Sequence, residues 1–556
     1  MIRGAVVDGV EAVADWFGYE ESVASWLGTK PPSLKDKNFK NWAGNIQTEV
    51  DQIWVPENKE QLKWIVKEAY KRGKKVRAVG DGHSWSPMWF RGRAADGWIV
   101  RSDKFTQWAF DEDNKILTVG PGMKIGELMK VELKIGHCIP TQVLLTDVYI
   151  GGVIATGCHG TGWNRNTISD YVHSVGMIMW DGTEREITEA DGDLFRAVQA
   201  NMGAFGLMYE IKFKVIPQPV VHIKDLKPKI EEVLDRKNPK LLQDLVESHD
   251  YVEIFWFPLN TEKKLWVKTF KIDDSHPAKD GKCPRVQEIE GWLGSRLDYW
   301  YSFIERKVDP SKTPKISDEI LAFLDTEETY QNLSYAMHFQ PGLEQFPPIL
   351  DVEMSIRVRP DFSNIVDAFL GIIEKAEAEA AKGHYPLNVN AELRFIANSQ
   401  VLLSPSYGPE GSHHCWIEIL SFDRTPGWED FARDVLIPWM QDPERYDLVV
   451  PHMAKLWQIL NDPKKNFYIE DYIRQIHGDR FNRFVKVRDE VDPHRMFLSP
   501  YLEDFFYPHD KPALLSPQDK LKELEKEEKK LQERLTRLKA AQDHIQKQIA
   551  IRTNAK

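Results

Sequence analysis

Cysteine is scarce in this chain. Its four residues, Cys138, Cys158, Cys283 and Cys415, are scattered and form no CxxC pair. That spacing indicates neither a zinc ribbon nor a disulfide framework, and points to reduced thiols in a cytosol-like compartment. Long apolar runs are missing too: no uncharged stretch approaches the roughly 18 residues a spanning helix needs. The start, MIRGAVVDGVEAVADWF, is interrupted by Asp8, Glu11 and Asp15, which a secretory h-region would not contain. A cytoplasmic location is expected, with peripheral membrane association left open. Nor is there a surplus of positive charge, since 73 Lys and Arg face 85 Asp and Glu for a net charge of −12. Nucleic acid and anionic membranes reward basic surfaces, so neither is expected as the main partner. No GxxxxGK[ST] phosphate loop occurs.

What is present is enough to build sizeable cores: 42% of the 556 residues are hydrophobic and 11% aromatic. That length accommodates two or three domains. Residues 1–40 read as a helical leader with Val6, Val10, Val13 and Trp16 on one side, followed by the linker KPPSLKDK. Docking on the body and membrane attachment both suit such a helix. Residues 41–216 alternate short β-rich runs with turn glycines: KKVRAVGDGHS, GWIVRS, KILTVGPG, GGVIATGCHGTG, VGMIMWDGT and MYEIKFKVI. One helix precedes them, ENKEQLKWIVKEAYKRG, with Leu62, Ile65, Val66 and Ala69 at helical spacing and Gly73 ending it. The segment is an α+β unit. Residues 217–510 mix the strands VEIFWFPL, KLWVKTFKI, LDVEMSIRV, NAELRFIA and HHCWIEILSF with amphipathic helices. Residues 511–556 carry a final helix, capped by Ser516-Pro517, whose Leu521, Leu524, Leu531, Leu535, Leu538, Ile545 and Ile549 share one heptad register. Glu528 and Gln542 interrupt the register. A homodimer through this helix and packing on the protein's own surface remain equal alternatives.

Three glycine clusters carry the chemistry. In Val79-Gly80-Asp81-Gly82-His83-Ser84, a β-run enters a tight turn that exposes consecutive backbone N–H groups, a nest suited to a pyrophosphate, with His83 at its rim. Gly151-Gly152-Val153-Ile154-Ala155-Thr156-Gly157-Cys158-His159-Gly160-Thr161-Gly162 leaves little side-chain bulk, as a flat ring pressed on backbone requires. It lacks the strand–GxGxxG–helix order of a Rossmann site. Gly203 and Gly206 lie in a third cluster, NMGAFG. No partner spacing supports a metal at His159. Singly each cluster is also an ordinary turn; together they form a cofactor cradle.

In this order the motifs resemble those of the aldonolactone oxidase and alditol oxidase branch of the vanillyl-alcohol-oxidase-type flavoproteins, which holds gulonolactone and arabinonolactone oxidases. Asn41-Trp42-Ala43 resembles that family's opening, VRAVGDGHS its V-G-x-G-H-S signature, and TDVYIGGVIATGCHGTG its second glycine loop. GAFGLM, AELRF with LLSPSYG, PHMAK and DPHRMFLSPYLEDFF resemble the later motifs. The likeness covers residues 41 to about 507 and leaves out both terminal helices.

The resemblance implies a two-domain FAD-binding fold of the PCMH type, with a substrate domain whose end returns to the FAD domain. FAD would be attached covalently through His83. Gly80, Asp81, Gly82, Ser84, Gly151, Gly152, Thr156, Gly157, His159, Gly160, Gly203, Gly206 and His452 would hold it. Arg394 and Lys455 would lie beside the flavin, where a cation favours the charge that hydride brings to the ring. Glu392, two residues from Arg394 on a strand, would share its face and bind substrate hydroxyls or assist deprotonation of the carbinol. The implied reaction oxidises a carbinol of a sugar lactone or polyol, with O2 giving H2O2; an alditol oxidase, or a dehydrogenase serving a carrier protein, is the alternative. Departures bear on the substrate. Leu144 stands where alditol oxidases place a Ser, which favours an aldono-1,4-lactone, while Met453, Ser499 and Glu418 also differ from the family pattern.

Overall fold

The computed structural model describes residues 30–90, 92–279, 309–324, 326, 328–338 and 348–508. The leader helix, Cys283 and the heptad helix therefore lie outside the described residues. Met1–Leu502 form one compact unit and Glu503–Lys556 a second. The expected boundary near residue 216 lies inside the first of these units, which holds everything described below.

Eleven strands build the first half: β1 (Asn38–Lys40), β2 (Gln47–Trp54), β3 (Lys75–Val79), β4 (Gly92–Arg101), β5 (Trp108–Asp111), β6 (Ile116–Val119), β7 (His137–Cys138), β8 (Val172–Ile178), β9 (Glu184–Thr188), β10 (Leu207–Lys214) and β11 (Ile216–Pro217). They make a four-stranded sheet in the order β1-β2-β4-β3, a five-stranded sheet β5-β6-β10-β8-β9, and the pair β11-β7. Parallel pairing of β2 and β3 with β4 requires a crossover between β2 and β3. The helix Lys59–Lys71 supplies it. Asn58 caps this helix by accepting from the Gln61 N–H, and the spacing expected from sequence buries Leu62, Ile65, Val66 and Ala69 against Val76, Trp98 and Val100.

One reading fails. GGVIATG is no β-run; Ile150–Ala155 is a short helix. Its buried residues are Ile150, Gly151, Val153 and Ile154, and the spacing of Ile150, Val153 and Ile154 is that of one helical face, not of an alternating strand.

The second half contributes β12 (Val220–Leu226), β13 (Tyr251–Trp256), β14 (Trp266–Ile272), β15 (Glu328–Asn332), β16 (Ile349–Arg357), β17 (Asn390–Ala397), β18 (His413–Phe422) and β19 (Val449–Pro451). They form one eight-stranded sheet, β15-β12-β14-β13-β17-β18-β16-β19. All its pairings are antiparallel. Five of these strands are the runs expected from sequence; β12, β15 and β19 were not. The helices Ser363–Ala380 and Trp428–Gln441 each bury a broad apolar face.

Met496 and Phe497 hydrogen-bond to the first sheet. The Val76 N–H donates to the Met496 carbonyl at 2.9 Å. Arg77, buried in the strand beside it, donates to the carbonyls of Met202, Gly203 and Phe497. Burial lowers its guanidinium to about 9.

Candidate active site

A cavity of about 550 Å³ lies between the glycine motifs of the first half and one face of the eight-stranded sheet. Two kinds of surface line it.

The first is a cradle of backbone. Gly80, Asp81, Gly82, His83 and Ser84 line the cavity with Gly151, Gly152, Thr156, Gly203 and Gly206. Gly82 has φ +72° and its missing Cβ would sit 3.1 Å from the Phe39 ring, so the turn that presents His83 needs glycine. At Gly152 the place of a Cβ is open, with nothing within 4 Å, as a ligand laid on the backbone demands. Thr156 Oγ1 donates back to the Gly152 carbonyl at 2.9 Å. Gly157 and Gly160 do not line the cavity. A Cβ on Gly160 would lie 2.2 Å from the Gln142 carbonyl oxygen, so this glycine serves close packing of the loop.

His83 faces the cavity from the rim of this turn. Its Nδ1 is buried without a hydrogen-bond partner among the described residues, its ring stacks on Trp42 at 5.8 Å, and burial pushes its pKa down although Asp81 and Asp147 oppose this. Around it Asp81 pairs with Arg101 at 3.1 Å and Lys124 at 3.4 Å. The next residues tie the cradle to the other wall: the Trp85 N–H donates to the Ala454 carbonyl at 2.7 Å, and Ser86 Oγ to that of Met453 at 2.6 Å.

The second surface is a wall of side chains. In antiparallel register, Asp225 lies opposite Lys268, Lys268 opposite Glu253, and Glu253 opposite Arg394. One pleat further, Glu392 lies opposite Glu418, and Glu418 opposite Glu353. Asp351 follows two residues from Glu353 on β16, so it shares that face. Carboxylates directly opposite one another repel, and two cations sit among them. Arg394 contacts Glu392 at 2.6 Å, Glu418 at 3.1 Å and Glu353 at 3.4 Å. Lys455, from the loop after β19, bonds Asp351 and Glu418 and lies 3.9 Å from Glu353 and 5.1 Å from the centre of the Trp85 ring. Glu392, Arg394 and Lys455 thus lie together on this wall. Asp351 and Glu353 were missed, although an acid-x-acid pair inside the apolar run ILDVEMSIR is the same signal that drew attention to Glu392 and Arg394.

Four carboxyls around two permanent cations cannot all ionise at once in a water-poor site. Burial, and the charge of Glu418, hold Asp351 and Glu392 well above the carboxylate range. Against the same burial, Lys455 and Arg394 pull Glu418 well below it, and His159 with Lys455 brings Glu353 to about 2. The cluster therefore titrates as a unit, in which Asp351 and Glu392 hold their protons longest as pH rises and Glu418 and Glu353 give theirs up first. Both cations are held charged, Lys455 and Arg394 being raised by the same carboxylates.

His159 and His452 close the wall. His159 stacks on Trp416 at 3.8 Å. Its Nδ1 lies 2.8 Å from the Gly160 carbonyl and its Nε2 2.8 Å from Glu353 Oε1. With Glu353 ionised both partners are acceptors and both ring nitrogens donate; burial pushes the His159 pKa down, and Glu353 opposes this. His452 Nδ1 accepts from the Ala454 N–H at 3.0 Å, and burial lowers its pKa to about 3. His159, Glu353 and His452 could be grouped around a metal, but these hydrogen bonds already engage both His159 nitrogens and one of His452's.

Comparison with known proteins decides the family. Residues 50–188 match the family described as FAD binding domain, and residues 211–505 that described as D-arabinono-1,4-lactone oxidase. The chain belongs to the D-arabinono-1,4-lactone oxidase family. Among relatives of this family member is the L-gulonolactone oxidase of Scyliorhinus torazame, 23% identical over 84% of this chain and 98% of that one. Another is the L-gulono-1,4-lactone dehydrogenase of Mycobacterium tuberculosis, 23% identical over 83% of this chain and 97% of that one. A solvent-stable cholesterol oxidase shares the fold at TM-score 0.69, with 17% identity over 86% of this chain and 98% of that one. Xylooligosaccharide oxidase from Myceliophthora thermophila does so at 0.56, with 14% identity over 85% and 97%. As a member of this family the chain is an FAD-dependent oxidoreductase acting on CH–OH groups. The cradle fits that cofactor: open backbone at Gly152, the glycine turn at Gly82 and an orphaned buried nitrogen on His83 are what a pyrophosphate and a tethered ring would use. No described helix is long and apolar enough to cross a membrane.

Proposed function

We propose that the protein oxidises a carbinol of an aldono-1,4-lactone to the carbonyl, holding FAD covalently through His83 and passing the electrons to O2 as H2O2. The observation that carries this reading is the wall: Glu392, Arg394, Glu418 and Lys455 converge on the cavity opposite the glycine cradle. Bound FAD supplies the hydride acceptor and the link to O2.

The chain's own residues do the rest. Gly80, Gly82, Gly152, Gly203 and Gly206 supply the backbone donors and space for the cofactor, and Arg77 fixes the Gly203 turn through its carbonyl. Arg394 and Lys455 are fixed positive charges beside the reacting centre, already oriented by their carboxylates, so they need not reorganise as charge develops. Glu392 carries its proton, so it is suited to giving and accepting hydrogen bonds with substrate hydroxyls and poorly suited to being a base. Glu418 is the carboxylate between the two cations; they hold its pKa well below the usual range, so it is suited to accepting a hydrogen bond from the carbinol and to holding Arg394 and Lys455 in place. Leu144 lines the cavity and gives a polyol chain no hydrogen bond, which favours the closed lactone. The protein works in the cytoplasm as a small-molecule enzyme, and its C-terminal heptads suit a homodimer contact or packing on the protein's own surface equally.

Acid precipitation followed by a peroxide assay tests this reading. The pellet stays yellow, and the native enzyme releases H2O2 when given D-arabinono-1,4-lactone in air. A colourless pellet removes the His83 linkage. Flavin reduced by the lactone but stable in air removes oxygen as the acceptor.

A further inference from the structure

Among the described residues, every Lys and Arg that the eight-stranded sheet side presents to the cavity is already bracketed by carboxylates, while Arg77 on the cradle side is held by backbone carbonyls. Lys268 stands between Asp225 and Glu253 in register, 3.6 Å from the latter's Oε2. Arg394 is held by Glu392, Glu418 and Glu353, and Lys455 by Asp351 and Glu418. Hydrogen-bonding capacity toward a ligand lies on the acids instead. Among the described residues Asp351 Oδ1 is buried without a hydrogen bond, on a residue 1% exposed that lines the cavity, and Glu253 Oε2 has Lys268 only at 3.6 Å. A ligand rich in O–H donors completes these groups. A ligand bearing a carboxylate meets no cation without first separating an ion pair, and adds a negative charge beside Glu418 and Glu353.

We infer that Glu418 and Asp351 make the site a charge filter, admitting the uncharged lactone ring and rejecting the aldonate anion produced when that ring hydrolyses. This deepens the lactone reading and rests on it. The two species differ by one water and one charge, so shape alone separates them poorly and charge separates them well. At a few ångströms, with the effective dielectric of a protein interior, one uncompensated charge shifts an equilibrium by roughly ten- to a hundredfold. Glu418 is the specificity-determining group that touches both cations. Asp351 stands behind it as a reserve, since loss of Glu418 lets a protonated neighbour ionise in its place.

The test is binding to the holoenzyme, read from perturbation of the flavin spectrum and from inhibition of turnover, with D-arabinono-1,4-lactone and sodium D-arabinonate as probes. Wild type binds the lactone at least roughly fiftyfold more tightly than the arabinonate. Glu418→Gln narrows the ratio by a few-fold, and Asp351→Asn combined with Glu418→Gln by about tenfold or more, through tighter arabinonate binding. Glu418→Thr, smaller and neutral, narrows it in the same sense should the amide pack poorly. Arabinonate binding as tight as the lactone in wild type overturns the filter. So does an unchanged ratio in the double variant. A lactone that binds but leaves the flavin oxidised sinks the proposed reaction instead, and the binding ratio still decides the filter.

Discussion

The two walls of the cavity recognise by opposite means. The cradle works with backbone: its glycines present open N–H groups, and its one conspicuous side chain, His83, has a nitrogen left without a partner. The sheet wall works with side chains that hold one another, four carboxyls around Arg394 and Lys455. A cradle of backbone suits a cofactor that is always the same and stays. A wall of mutually paired charges suits chemistry, because its dipoles and charges are set before substrate arrives.

The largest effect is expected in the cradle, where His83→Ala should abolish covalent attachment altogether. Flavin then stays in the supernatant after acid precipitation; a pellet that keeps its colour places the linkage elsewhere. On the wall, replacing Lys455 or Arg394 by Met should slow anaerobic flavin reduction by roughly 10²–10³, the usual worth of one well-placed electrostatic donor. Losses should fall on kcat and kcat/KM together, because the interaction matters most as charge develops. A change confined to KM would make these residues mere substrate clamps.

Glu392 sharpens the contrast, for burial and the charge of Glu418 hold its carboxyl well above the usual range. Glu392→Gln, a close copy of a protonated acid, should cost only a few-fold in turnover, and Glu392→Ala about 1–3 kcal/mol through the hydrogen bonds it deletes. A loss with Gln as large as with Ala would show that Glu392 must ionise. Behind the cradle, Glu132 is a buried acid with no cation, bonded by the Ile139 N–H at 2.9 Å and the Gln142 amide, and burial raises it to about 8 from 4.5. The folded state thus holds this proton and the unfolded chain gives it up above about pH 4.5. Stability should fall as pH rises between those two values, by up to about 1.4 kcal/mol per pH unit. Glu132→Gln should flatten that slope in thermal melts at pH 5, 6, 7 and 8, and an unchanged slope would acquit Glu132. The smallest effect is expected far from both walls: removing residues 516–556 should leave flavin content and turnover unchanged, and loss of flavin would contradict the placement of the site.

The same contrast explains what could be read in the sequence. A backbone cradle announces itself as clustered glycines, and all three clusters reach the cavity. Individual glycines within a cluster are not resolved that way, since Gly160 is needed for packing against Gln142 and Gly152 for open space, and sequence treats them alike. The helix Ile150–Ala155 was hidden because its two glycines and four apolar residues fit a strand as well over so short a run. On the wall, Glu392 and Arg394 were legible as a same-face pair on one strand. Asp351 and Glu353 lie about forty residues away on β16, and only the register of β16 on β18 brings them opposite Leu420 and Glu418. Which of four equivalent-looking acids keeps its proton is a property of the assembled cluster and of no single segment.

The central claim is that these two walls form one site for a closed sugar lactone. Anaerobic flavin reduction against a panel of five- and six-carbon aldonolactones, open-chain alditols and aromatic alcohols tests it most directly. Fast bleaching of the flavin by the lactones and slow bleaching by the alditols is expected, because the Leu144 side chain offers a polyol chain no hydrogen bond. Fast bleaching by an alditol would contradict the lactone preference, and bleaching by aromatic alcohols alone would contradict the sugar site itself.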